Sequence, residues 1–123
     1  MYFEFQIGRR QTWTPAVDVC ERPAEIVVFV EMPGVQRDQI KLSWYENVLI
    51  ISGEKPQPSA SRAARHLCVE RAYGQFRRDI SINIPIDRAR ARAELRDGLM
   101  RIYLPKRTSM GESSEIPIQY QEP

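Results

Sequence analysis

Ala91-Arg92-Ala93-Glu94-Leu95-Arg96-Asp97-Gly98-Leu99-Met100-Arg101-Ile102-Tyr103-Leu104 decides the fold of this 123-residue chain. The Ala and Arg content from Arg88 to Leu95 would suit a helix, but Ala91, Ala93 and Leu95 alternate with charged residues, the period of a strand with one face toward a core. Asp97-Gly98 follows. An Asp-Gly pair between two such runs is the strongest short hairpin signal, because these residues tolerate the positive φ of a tight turn between strands. The stretch is expected to form two antiparallel strands, the second ended by Pro105-Lys106.

Working outward, Phe76, Ile80, Ile82 and Ile84 share one strand face, opposite Gln75, Arg77, Asp79, Ser81 and Asn83, and Arg78 interrupts the apolar side. Ile40, Leu42 and Trp44 alternate with Lys41, Ser43 and Tyr45, after which Glu46-Asn47 turns into a run from Val48 to Gly53. Residues 16–21 and 25–32 are rich in β-branched residues and are separated by the turn signal Arg22-Pro23-Ala24, while Pro33-Gly34 stops the second run. Glu54 to Ala64 loses all periodicity and reads as a long exposed loop, with a short possible strand after it, Arg65 to Glu70. Seven or eight short strands at regular spacing predict an all-β chain, an immunoglobulin-like antiparallel sandwich. The length suits one domain, and nine prolines argue against a helical bundle.

Composition narrows the function classes. No apolar run approaches the roughly 18 residues of a membrane span, and Met1-Tyr2-Phe3-Glu4-Phe5 lacks a leader's basic-then-apolar order, so a cytoplasmic protein without a membrane partner is expected. Cys20 and Cys68 have no nearby histidine or second cysteine to complete a metal site; they are read as free thiols of a reducing compartment, with a disulfide as the alternative. His66 is read as a surface or interface residue. There is no Gly-rich phosphate loop and no Gly-x-Ser-x-Gly turn, and the carboxylates are scattered. Neither an enzyme nor a cofactor is expected. Net charge is +2, but residues 61–107 sum to +7 against −2 before them and −3 after them. The arginines of 62–78 and 88–96 could touch phosphates, yet Glu70, Asp79, Asp87, Glu94 and Asp97 dilute the patch, so nucleic acid is not an expected partner.

The sharpest remaining element is Ile116-Pro117-Ile118, an apolar island in a polar tail. Proline presets the backbone and biases Ile116 to an extended conformation, leaving two isoleucines on one face, as a segment that docks like an added strand would have them. Two buried isoleucines contribute roughly 3–6 kcal/mol before the entropy of ordering the tail is subtracted. One such contact is weak and reversible, and many in one assembly add by effective concentration. Tyr2, Phe3, Phe5 and Ile7 form a second apolar stretch, either a contact for clients or neighbours or an inert leader.

Five pieces in order resemble the α-crystallin domain of small heat-shock proteins, in its bacterial and plant-like branch. Trp13-Thr14-Pro15-Ala16-Val17-Asp18-Val19 is similar to that family's opening strand, and Glu31-Met32-Pro33-Gly34 to its acidic-apolar-Pro-Gly turn. Ile50-Ile51-Ser52-Gly53-Glu54-Lys55 resembles its Ile-Ser-Gly-Glu-Lys strand end, Glu70 to Arg78 its Glu-Arg-x-Tyr-Gly-x-Phe-x-Arg segment, and Ala93 to Lys106 its closing hairpin. Two departures stand out: Gly98-Leu99-Met100 replaces Gly-Val-Leu, and Asn83 stands where many members carry proline. The resemblance divides the chain into a short N-terminal arm (1–12), an α-crystallin domain (13–106) and a C-terminal extension (107–123).

It implies an ATP-independent holdase that binds unfolding proteins and prevents their aggregation as a dimer-based homo-oligomer, with ATP-dependent refolding chaperones downstream. The Ile116-Pro117-Ile118 anchor would enter a neighbour's groove between the strand of Ile40 and Leu42 and the strand of Ala93 and Leu95. His66, Leu67, Cys68 and Val69, in the loop 54–71, would cross to a partner's edge strand bearing Asp18 and Glu21, acidic residues suited to the +7 segment. The competing expectation is a monomeric co-chaperone-like adaptor on the same sandwich, docking one folded partner.

Overall fold

The computed structural model describes residues 13–57 and 64–108. Seven strands form: β1 (Val17–Glu21), β2 (Glu25–Glu31), β3 (Ile40–Tyr45), β4 (Val48–Lys55), β5 (Gly74–Ser81), β6 (Arg92–Arg96) and β7 (Leu99–Pro105). They make two antiparallel sheets, one ordered β1-β2-β7-β6 and the other β3-β4-β5. This is the expected sandwich.

The deciding hairpin forms as its alternation requires, with Arg96 opposite Leu99, Leu95 opposite Met100 and Ala93 opposite Ile102. Asp97 and Gly98 take φ of 53° and 76°, positive at both central positions as a type I′ turn demands. The turn also carries tertiary contacts. Gly98 carbonyl accepts from the Met32 amide at 2.7 Å, and a Cβ on Gly98 would stand 3.3 Å from Pro33 Cα.

Between the sheets, Ile26, Val28 and Val30 of β2 meet Met100, Ile102 and Leu104 of β7 on one side, with Leu49 and Ile51 of β4 and Phe76 of β5 on the other. All are essentially buried. Each contributes roughly 1.5–3 kcal/mol by leaving water, which is why the central strands and not the edges carry the fold. Met32, Val35, Ile82 and Ile86, from connecting segments, close the ends of this core.

Two expectations are corrected in detail. Strand β4 does not end at Gly53 but runs to Lys55, because Glu54 and Lys55 pair with Gln75 and Gly74 of β5. Residues 64–70 form no strand within the single chain; they are exposed and have no neighbour strand to pair with among the described residues. Short 3₁₀ turns at Arg37–Gln39 and Arg88–Arg90, which periodicity gave no reason to expect, lead into β3 and β6.

The interruption at Arg78 also has a cause. Its guanidinium is half-buried and donates to the Pro15 carbonyl at 3.4 Å, tying β5 to the segment before β1. Asn83 accepts from the Asn47 side-chain amide at 2.6 Å, and the Ile82 amide donates to the Asn47 carbonyl, so the β3–β4 turn is clamped onto the end of β5. An asparagine can serve here because its side chain supplies the hydrogen bond.

Candidate functional site

The surfaces that matter are those where apolar side chains and strand edges stay uncovered. The edges of the two sheets are β1 and β6, and β3 and β5. Unpaired edges present free backbone donors and acceptors, the template on which another strand can add.

Along β1, Val17, Val19 and Glu21 lie opposite Val30, Val28 and Ile26, so they face the core side; Asp18 and Cys20 lie opposite Phe29 and Val27 and face outward. Yet Val19 is 51% exposed, because the second sheet does not extend over this edge. Among the described residues the other exposed large hydrophobic side chains are Leu67 at 87% and Val69 at 53%, in the segment before β5, and Tyr45 at 65%, at the end of β3. Cys68 is exposed beside Glu70, Sγ to carboxylate 3.5 Å, and Cys20 is exposed on β1; both are free thiols. Of the two acidic edge residues, Glu21 is already engaged within its own subunit, accepting from Lys106 Nζ at 2.7 Å. Asp18 is left as the acidic residue that faces outward on this edge.

The residues just before β5 are held by aromatic contacts. The Lys55 ammonium lies 5.8 Å from the Trp13 ring centroid and 5.6 Å from that of Tyr73, and the Arg71 guanidinium lies 5.4 Å from Tyr73. Cations over aromatic faces are attracted by the ring quadrupole. Burial, and secondarily the charge of Arg71, pull the Lys55 amine below its ordinary pKa. Trp13 in turn lies with its ring centroid 5.1 Å from that of Phe76, the two planes tilted by 53°, and donates its indole N–H to the Gly74 carbonyl at 3.1 Å. The Pro33-Gly34 turn packs on the same lysine: a Cβ on Gly34 would stand 3.2 Å from Lys55 Cε, and Gly34 has φ of 79°. Three motifs far apart in sequence thus converge on one anchor for the segment that leaves at residue 57 and returns at residue 64.

The second surface lies between the edges β3 and β6. Here the sheets part, leaving a cavity of about 240 Å³ lined by Leu42, Trp44, Leu49, Ala91, Ala93 and Ile102, with Ser43, Arg92 and Leu104 completing the wall. Of the four residues named for the groove, Leu42 and Ala93 line this cavity. Ile40 and Leu95 pack half-buried against the core beyond its ends. Trp44, Ala91 and Arg92 were missing from the expected groove, although the alternation of β3 already placed Trp44 on the same face as Leu42. Ile116, Pro117 and Ile118, and likewise Tyr2, Phe3, Phe5 and Ile7, lie outside the described residues.

Among the described residues no group of three His, Cys, Asp or Glu side chains could hold a metal ion, and no helix is long and apolar enough to cross a membrane. His66 is exposed near Cys68, Glu70 and Tyr73.

Comparison with known proteins agrees with the geometry. The chain is 35% identical over 94 residues to small heat shock protein C4 of Rickettsia felis, covering 76% of this chain and 58% of that protein. It is 32% identical over 108 residues to heat shock protein 16 of Schizosaccharomyces pombe, covering 86% and 76% respectively. The chain therefore spans little more than half the length of the first of these relatives. Among solved structures, heat shock protein 16.0 from Schizosaccharomyces pombe superposes with a TM-score of 0.73 at 31% identity, over 87% of this chain and 99% of that one. A small heat-shock protein from Xylella fastidiosa, described as having a distinct high order structure, gives 0.72 at 28% identity over 90% and 99%. Residues 18–121 match the Hsp20/alpha crystallin family, and with that match, these relatives and the two-sheet topology, the chain belongs to this family, whose members are chaperones.

Proposed function

We propose that this chain is an ATP-independent holdase that works as a cytoplasmic, dimer-based homo-oligomer and binds unfolding proteins through apolar surface. The open groove between β3 and β6 is the observation that carries the reading: a stable sandwich has no internal use for a cavity walled by Leu42, Trp44, Ala91 and Ala93 at its edge. The Ile116-Pro117-Ile118 tail of a neighbour supplies a matching occupant. Its contact is worth only a few kcal/mol, so warming shifts the population of lifted tails and uncovers the sites that clients need. Tyr2, Phe3, Phe5 and Ile7 serve as a further client or subunit contact. Captured chains are kept from aggregating by mass action, and ATP-dependent chaperones take them onward.

The dimer is the crossing of residues 66–69 onto the partner's β1. Strand parity supports it. Leu67 and Val69 share one face of an extended segment, and pairing them on the side of Val17 and Val19 buries the apolar groups that a single chain leaves in water. His66 and Cys68 then fall on the face of Asp18 and Cys20. The two thiols therefore lie on one face of the joined sheet, so an oxidant such as diamide, which accepts the two electrons and two protons of a thiol pair, is expected to yield an interchain Cys20–Cys68 disulfide, read by peptide mass spectrometry.

The direct test is heat-induced aggregation of a model client without ATP. The chain is expected to suppress it, and a variant carrying Ile116→Ala and Ile118→Ala is expected to alter both assembly size and suppression. A monomer that leaves client aggregation unchanged would replace this reading with the adaptor.

A further inference from the structure

The groove does not stop at Trp44. Beyond that ring lies a second cavity of about 510 Å³, so one indole borders both hollows. Its chemistry is different. The Arg88 guanidinium lies 4.1 Å from the Trp44 ring centroid and donates to the Glu46 carbonyl, which fixes a cation on the rim. Arg107, also on the wall, makes no ion pair with the described residues, while the lining carboxylate Asp87 is turned to Arg90 at 3.8 Å. Asn47 and Asn83 spend one polar group each on their mutual hydrogen bond, and each retains another. Such walls complement an aromatic ring with a polar tip, followed by an anion.

We propose that this cavity receives Tyr120 and Glu122 from the tail of a second copy of the chain, extending the Ile116 and Ile118 anchor by two further contacts. The proposal rests on the anchor reading given above. In an extended segment alternate residues share a face, so Ile116, Ile118, Tyr120 and Glu122 form one stripe with about 6.6 Å between successive members. With the isoleucines in the apolar groove, the next residue on that stripe reaches past Trp44. Running the other way, the stripe continues as Ser114 and Glu112, and a serine would leave the indole uncovered. The direction is thereby fixed: the tail runs parallel to β3, its later residues at the Trp44 end. Charge agrees, because residues 108–123 sum to −3 and this end of the groove carries Arg88, Arg92 and Arg107.

A fluorescein-labelled peptide of residues 112–123 is titrated into the full chain carrying Ile116→Ala and Ile118→Ala, whose own tail competes far less without its two isoleucines, and binding is read by anisotropy. Tyr120→Ala in the peptide is expected to weaken binding about tenfold. Glu122→Arg weakens it about fivefold on the wild-type cavity and recovers on protein that also carries Arg107→Glu. Glu112→Arg changes nothing. If the unaltered peptide binds but the Tyr120 and Glu122 changes have no effect, or if only Glu112→Arg weakens it, this proposal falls while the anchor stands. If the unaltered peptide does not bind at all, the anchor reading falls and takes the proposal with it.

Discussion

Strands β1 and β2 are neighbours in one sheet and both are rich in valine, yet they live in different environments. On β2, Val28 and Val30 are fully buried; on β1, Val19 lies opposite Val28 in register and is half exposed. Val19 and Val28 are the same residue on the same face of neighbouring strands, although β1 alternates with Asp18 and Cys20 while β2 is apolar from Ile26 to Val30. What separates the two valines is the second sheet, whose three strands cover β2 and β7 and leave Val19 uncovered. The same contrast separates the packed middle of the sandwich from the seam between β3 and β6, where apolar side chains line a cavity open at the edge. Residues of equal hydrophobicity thus divide into those that hold the subunit together and those that wait for something else. Substitutions should separate the two groups cleanly.

The largest effect is expected at Gly53. A Cβ there would stand 2.0 Å from the Gln39 carbonyl oxygen and 2.7 Å from the Phe76 ring, so β4 and the turn before β3 could not both keep their places. Gly53→Ala should cost more than ~3 kcal/mol, seen as loss of the cooperative unfolding transition or of folded protein. Next, Ile51→Ala in the covered middle should cost about 2–5 kcal/mol in denaturant unfolding, through lost burial and the cavity left behind. Leu67→Ser combined with Val19→Ser should reverse that pattern. Unfolding of the isolated subunit changes by less than about 0.5 kcal/mol, while dimer dissociation on dilution shifts by about tenfold or more. A large loss of subunit stability from that pair would break the contrast.

A smaller effect concerns pH. Lys55 is held below its ordinary 10.5 chiefly by burial, so its charged form is penalised in the folded chain more than in the unfolded one. The penalty is fully present below the folded pKa and is relieved as pH rises from there toward 10.5. Stability should therefore gain a rising component across that window in thermal unfolding, and Lys55→Met should remove it.

Much of this was legible in the sequence because strand alternation and turn residues act locally. Asp97-Gly98 set the register of β6 and β7, and Phe76 and Ile80 announced the core side of β5, with Ile82 just beyond its end. The chain could not announce facts that depend on what lies across space. Periodicity, lost after Gly53, did not tell that Glu54 and Lys55 would remain in strand, as the resemblance of Ile50 to Lys55 had suggested, since their pairing partners Gln75 and Gly74 come after the long loop. Likewise Glu21 looked available until the fold brought Lys106 to it from the far end of the domain. The cavity between β3 and β6 was legible in part: the alternation of β3 put Leu42 and Trp44 on one face, but that Ala91 and Arg92 would share its wall depended on where the two sheet edges meet.

The central claim is that the edges left open in one subunit are closed by a second copy, and it is tested most directly by the mass in solution of the chain and of its Ile116→Ala, Ile118→Ala variant. The account predicts a large assembly for the first and a dimer, twice the 14.3 kDa chain mass, for the second. A wild-type mass of 14.3 kDa at micromolar concentration would contradict it.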